Sequence, residues 1–422
     1  MRPWLIPMIY VGGSVVCGLG LPRLEYAYLA SYAFNLSVAS AQAYLAAAAS
    51  GMMALMGIVF ALAFVTVQFS AIAYSPRLVL WFARDHSLFH SLGTFAATFI
   101  FALFTLAWVD REASGWVPQF CGVLVVIMLS FSMLLFSRLI QRLTDLQITN
   151  VLQLIGDRGR KVIAGMFLHL DDNRNPQGGD DKKASGGMQL GPITQTLKYS
   201  GEPRTIAKLD IESLVRLAQR ANGTIVMQFA VGDTLVVDTV LLQVHGAEDR
   251  LSETELMRAI HLERERTFEQ DPKYPIRLLV DVAIKALSPA INDPTTAVQT
   301  IDEIEDLLRR LGRRKLDAGY AIDGKGALRL VFPMPTWEDY LALAFDEIRQ
   351  YGATSVQVMR RLRAALAGLT ESLPSPERAG ALQRYLKHLD LVIERSPFDA
   401  EDRAMARRGD RQGLGLSRAP TK

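Results

Sequence analysis

Three charged side chains, Arg277, Asp281 and Lys285, recur at four-residue steps in the apolar stretch PIRLLVDVAIKALSPAIND, residues 275–293. Advancing ~100° per residue from Arg277 places Asp281, Lys285, Ser288 and Asn292 within about 80° of it, one narrow polar stripe on an otherwise apolar helix. Such a helix is buried, and buried charge is costly unless it is paired. Asp281 has a cation one turn away on each side, so pairing within the helix satisfies it and leaves one positive charge for a partner. Glu263, Glu265, Glu269 and Asp271 are the nearest candidates in the chain.

Pro289 removes the donor that the Lys285 carbonyl would otherwise meet, and it pushes Ser288 away from helical geometry, so the helix stops or kinks there. Asp293 then takes the N-cap position, and Pro294 the first position, of a second helix, PTTAVQTIDEIEDLLRRLG. The spacing predicts a helix-turn-helix corner. A second reading stays open: the freed carbonyl with Ser288, Asn292, Thr295 and Thr296 would form a small polar pocket for an ion or a lipid head group.

The elements that position this stripe begin with a membrane domain. The 422 residues are 50% hydrophobic, and the mean hydropathy is +0.16. The excess is concentrated in residues 4–20, 45–72, 91–109 and 116–137, runs without Asp, Glu, Lys or Arg. Each is long enough for a helix through a hydrocarbon core about 30 Å thick. Arg2, Arg77, Arg84, Arg138 and Arg142 flank alternate span ends, while the other loops offset Arg23 with Glu25 and Arg111 with Asp110 and Glu112. By the positive-inside rule both termini are cytoplasmic. A cleaved signal peptide fits the first span less well, because its removal would put the remaining basic flanks on the wrong sides.

The 21–43 connection, with Tyr26, Tyr28, Tyr32 and Phe34, is expected along the outer surface. Between spans two and three, YSPRLVLWFARDHSLFHSLG is too apolar for a solvated loop, and Ser75, Pro76, Arg77, Arg84 and Asp85 mark it as a membrane-interface segment. The small residues of LAAAASGMM, 45–53, let helices approach closely in lipid.

The expected organisation is a four-span domain (1–137), a helical stalk continuing the fourth span (138–165), a small α+β subdomain (188–250), a helical cytoplasmic domain (251–408) and a disordered tail (409–422). Strands are predicted near 193–199, 204–208, 223–230 and 235–244, with a helix at 211–221. Ser252, Thr336 and Ser375 are expected helix caps. The fold class is thus an α-helical membrane domain followed by a mostly helical α+β domain.

The stretches VFALAFVTVQFSAIAYSPRLVLWFARDHSLFHSLGTF (59–95) and RERTFEQDPKYPIRLLVDVAIKALSPAINDPTTA (264–297) closely resemble a family of bacterial predicted membrane proteins, domain of unknown function 2254. Weaker similarity lies at VGDTLVVDTVLLQV and AFDEIRQYGA. The resemblance implies a four-span inner-membrane protein with a large cytoplasmic domain, and it implies no particular activity.

Function classes narrow by exclusion. A net charge of +3 is too mild for nucleic acid. The two cysteines, Cys17 and Cys121, lie within spans and build no disulfide or zinc framework. His86 and His90, four apart, lack an evident third ligand, so no metal or cofactor is expected. Nucleotide-binding and hydrolase motifs are absent, which speaks against an enzyme. Two readings remain. One is an oligomeric channel-like or transport-related protein with a cytoplasmic vestibule, its pore lined by Ser, Thr and Gln68 between subunits. The other is a non-transporting anchor whose cytoplasmic domain senses or scaffolds. The bilayer and further copies of the chain are the expected partners.

Overall fold

The computed structural model describes residues 4–29, 36–73, 86–111, 114–144, 147–170, 190–316 and 319–414. The chain forms two compact units, Met1–Gln147 and Ile148–Lys422.

Among the described residues the first unit forms four helices, α1 (Leu5–Leu29), α2 (Val38–Ala73), α3 (His86–Trp108) and α4 (Gln119–Thr144). All four are long and apolar enough to cross a membrane. Packing converges on α3, which touches each of the others. Its Phe95 and Phe101 are enclosed with Leu45, Met52 and Val59 of α2 and with Val125 of α4. Close approach of α1 depends on Gly18, where a Cβ would stand 2.7 Å from that of Phe104. Outward-facing Phe60, Phe64, Val126, Phe131 and Leu134 give the bundle an apolar surface suited to hydrocarbon.

The expected surface connection begins instead as helix: α1 continues through Pro22 to Leu29 and carries Tyr26 and Tyr28 with it. Two contacts hold that extension. Glu25 accepts hydrogen bonds from the backbone N–H groups of Phe120 (2.8 Å) and Cys121 (2.9 Å) at the start of α4. Tyr26 packs edge-on against Trp116 at 5.1 Å. A carboxylate on the positive end of a helix is favourable, and more so away from water.

The second unit opens with α5 (Ile148–Met166). This helix is no freestanding stalk. Its stripe of Val151, Leu152, Ile155, Val162 and Ile163 is buried, because an amphipathic helix must cover its apolar face. Around it pack α8 (Lys273–Ala286) and α9 (Pro294–Leu311); α10 (Trp337–Tyr351) lies on α8, and α11 (Val356–Ser372) on α9. Gly156 and Gly159 bring α5 close to α9, since a Cβ at the second would stand 2.8 Å from Leu307. Two further helices, α12 (Pro376–Arg395) and α13 (Ala400–Ala406), complete the helical layer.

The strands are β1 (Ile193–Lys198), β2 (Arg204–Leu209), β3 (Thr224–Met227), β4 (Thr234–Leu235), β5 (Val240–His245), β6 (Ile260–Glu263), β7 (Tyr320–Ile322) and β8 (Leu328–Val331). They form one sheet in the order β1-β5-β3-β8-β7 and another in the order β4-β2-β6. With α6 (Ile211–Arg220) and α7 (Glu253–Arg258) they enclose a core that includes Leu214, Ile225, Leu241, Val244, Leu256 and Leu330. The α+β part therefore does not stop at residue 250, because β8 pairs in parallel with β3 and β6 pairs with β2.

The expected caps appear as hydrogen bonds. Ser252, Thr336 and Ser375 each accept from the backbone three residues on, and Thr336 closes a reciprocal capping box with Asp339. The tail expected to be disordered from 409 is ordered as far as Leu414. Asp410 is buried 3.8 Å from Arg360, and the Gly413 carbonyl accepts from Gln357 at 2.6 Å. Residues 415–422 lie outside the described residues.

Candidate functional site

The corner after α8 closes on itself. The Lys285 carbonyl, which Pro289 deprives of a helical donor, accepts instead from the Ser288 N–H (3.1 Å) and hydroxyl (2.7 Å). Asn292 takes a left-handed backbone, φ 50°, and its N–H returns to the Ser288 carbonyl. Asp293 donates its N–H to the Ala286 carbonyl at 2.8 Å. Its carboxylate accepts from the Thr296 N–H at 3.1 Å and the Thr296 hydroxyl at 2.6 Å, which caps α9. Asn292 and Thr295 are exposed. The helix N-terminus that would attract an anion already holds a carboxylate, so the geometry favours the corner over the pocket.

The stripe on α8 pairs with a residue the sequence did not single out. Arg277 donates from Nε to Asp281 at 2.7 Å and grips Glu347 of α10 with both terminal nitrogens, at 2.5 and 2.9 Å. The upstream acids proposed for the surplus charge are not its partners; Asp271 is buried 3.6 Å from Arg266. Hydrogen bonds from Arg277 hold the Glu347 carboxyl below its usual range. Burial pushes the Lys285 ammonium down and the Asp271 carboxyl up.

A larger network surrounds α9. Arg160 of α5 reaches Glu303 (2.9 Å) and Asp306 (2.8 Å), and Arg361 of α11 reaches Asp302 and Glu305, both at 2.6 Å. Arg309 and Arg310 fold back one turn onto Glu305 (2.6 Å) and Asp306 (2.9 Å). Each of those two carboxylates thus serves two guanidinium groups. Burial raises the Asp302 and Glu303 carboxyls; for Asp306 burial also pushes up, but the bonds from Arg310 and Arg160 outweigh it and the group sits low. The turn-to-turn pairs join residues four apart on one helix face. Arg160 and Arg361 lie too far away in sequence for any spacing rule to join them to α9. Chemically these are fixed, charge-assisted locks between helices, with the acids held by arginines that do not release protons.

The membrane-interface residues Ser75, Pro76, Arg77, Arg84 and Asp85 lie outside the described residues, as does the side chain of His86. His90 is hydrogen-bonded through Nδ1 to the Tyr10 hydroxyl at 3.1 Å. Among the described residues no three His, Cys, Asp or Glu side chains gather as metal ligands would.

Four apolar spans followed by a mostly helical α+β unit laced with arginine–carboxylate locks define a multi-pass membrane protein. Residues 2–368 match the profile of the predicted membrane protein family DUF2254, and the chain belongs to that family. Uncharacterised proteins of Mycobacterium bovis and Mycobacterium tuberculosis are each 25% identical over 417 residues, covering 95% of this chain and 78% of theirs. No solved structure matches the chain.

Proposed function

We propose that the chain is a non-transporting membrane anchor: the four spans hold it in a bacterial inner membrane with both termini cytoplasmic, and the second unit senses or scaffolds at that face. The contrast in how the two units use polar groups supports this reading. In the spans, hydroxyls donate to helix carbonyls, across helices from Ser14 to Ala97 (2.6 Å) and within a helix from Ser91 to Ser87, Thr94 to His90, Thr105 to Phe101 and Ser130 to Val126. Glu25 caps α4. Coupled transport needs ionisable groups facing a pathway, and the charge pairs described above lie in the second unit.

One observation favours the oligomeric channel-like reading. On α2 the run 45–53 divides: Leu45, Ala48, Ala49 and Met52 pack inward, while Ala46, Ala47, Ser50 and Gly51 are exposed as a face small enough for another copy. Gln68 is exposed on the same helix. Native mass spectrometry in nanodiscs separates the readings. A monomer removes the inter-subunit pore, whereas a closed ring of several copies that passes ions would overturn the anchor reading.

A further inference from the structure

The C-terminal end of α9 opens into a cavity of about 260 Å³ lined by His169, Asp306, Arg309, Arg310, Arg313 and Arg314. Four guanidinium groups face one lining carboxylate. That carboxylate, Asp306, is already shared between Arg310 and Arg160, and the Glu305 that holds Arg309 is shared with Arg361. Among the described residues, positive charge is therefore in surplus at this mouth.

The surplus belongs to Arg313 and Arg314. Their hydrogen bonds run to backbone carbonyls, from Arg313 to Ser372 at 3.4 Å and from Arg314 to Phe167 at 2.8 Å. The Arg314 Nε is buried without a hydrogen-bond partner among the described residues. Basic residues in the last turn of a helix complement its dipole, which accounts for Arg309 and Arg310. It does not account for Arg313 and Arg314, which follow the last helical residue, Leu311.

Their backbone is fixed. Leu170 donates to the Arg313 carbonyl at 3.0 Å, Lys315 donates to the Leu168 carbonyl at 2.9 Å, and His169 and Arg314 form a β-bridge between these bonds. The pocket is thus mounted on two paired segments. Burial and the neighbouring Arg310 charge also pull the Arg314 guanidinium below its ordinary value, a penalty on its positive charge that a bound anion would relieve.

We propose that this pocket binds an oxyanion of the phosphate class, gripped by Arg313 and Arg314 and neutralising the charge that the local carboxylates leave over. Guanidinium forks match phosphate oxygens in pairs. The volume suits a phosphate group and its immediate substituents better than a large organic ligand. A free phosphate compound and a phosphorylated lipid head group share this chemistry. The site stands whether or not the chain conducts ions.

The test uses the full chain in phosphatidylcholine nanodiscs titrated with inorganic phosphate, and a parallel set of nanodiscs containing phosphatidic acid, read by calorimetry and by thermal unfolding. Saturable phosphate binding identifies a free compound as the source; stabilisation by phosphatidic acid alone identifies a head group. In either case Arg313→Gln, a change at an exposed side chain, lowers affinity by about tenfold. The Arg313→Gln/Arg314→Gln double variant abolishes binding, and Arg411→Gln outside the pocket leaves it unchanged. Should the double variant fail to fold, Arg313→Gln alone decides. No response to either source, or unaltered affinity in a folded Arg313→Gln variant, overturns the proposal.

Discussion

Arg277 of α8 holds Glu347 of α10 through two parallel hydrogen bonds, 2.5 and 2.9 Å, while its Nε binds Asp281 one turn along its own helix. One guanidinium thereby joins two packed helices that also bury apolar side chains, Leu278 and Val282 on one and Leu341, Phe345 and Ile348 on the other. Apolar contact gives cohesion but little direction. The fork fixes how the two helices are rotated against each other.

Replacing Arg277 with methionine keeps the stem and removes the fork, leaving two half-buried carboxylates facing each other's space. The expected loss is about 3 kcal/mol. Glu347→Gln should cost less, about 1 kcal/mol, because the Glu347 side chain is 40% exposed and water screens the change. Chemical denaturation of the two variants reads both values, and equal losses would contradict the assignment of Arg277 as the shared partner. Asp281→Ala is likewise expected to weaken folding without changing ion permeability.

Asp293→Ala removes both bonds to Thr296 at the start of α9. The expected cost is about 1 kcal/mol, with Asp293→Asn closer to wild type. If the corner were instead an anion site, the alanine variant would gain anion affinity rather than simply lose stability. Equilibrium unfolding with and without added phosphate distinguishes the two.

Acid and neutral pH should act on different carboxylates. Asp323 is held low by the hydrogen bond from Arg329 (2.8 Å), and Glu347 by those from Arg277. Their contribution is complete above the ordinary carboxylate range near ~4 and is lost as pH falls through the lowered folded values. Asp271 runs the other way: burial raises it, so the native state binds its proton more tightly and loses stability as pH rises from about 4 through the raised value. Asp271→Asn should therefore raise the unfolding temperature at pH near ~7 and have little effect near ~4. A larger gain on the acid side would contradict that sign.

Within the first unit, Glu25→Ala leaves the Phe120 and Cys121 N–H groups without their acceptor. A loss of about 1 kcal/mol is expected, seen as a lower aggregation midpoint in detergent. Arg23→Ala, on the same turn but outside that bond, should leave the midpoint near wild type.

The local features of this fold were legible and the long-range ones were not. Apolar length located four spans, and residue identity placed the caps at Ser252, Thr336, Ser375 and Asp293. Each depends on neighbours a few positions apart. The pairing of β8 with β3 joins Leu330 to Ile225 across a chain reversal, and no periodicity encodes such a contact. The α8 stripe reads as charge needing a partner, yet Glu347, which Arg277 grips, carries no signature within its own helix. Within the tail expected to be disordered from 409, residues 409–414 lack apolar periodicity, yet Asp410 lies against Arg360 and the Gly413 carbonyl accepts from Gln357. Polar anchoring of irregular chain leaves little trace in hydropathy.

The most direct test of the anchor reading is ion flux into sealed proteoliposomes reconstituted with the full chain, compared with protein-free vesicles under an imposed potential. The reading predicts no flux above the empty vesicles for potassium, sodium, protons or chloride, whatever the number of copies per particle. Selective flux that a substitution at Gln68 alters, with expression and assembly unchanged, would contradict it.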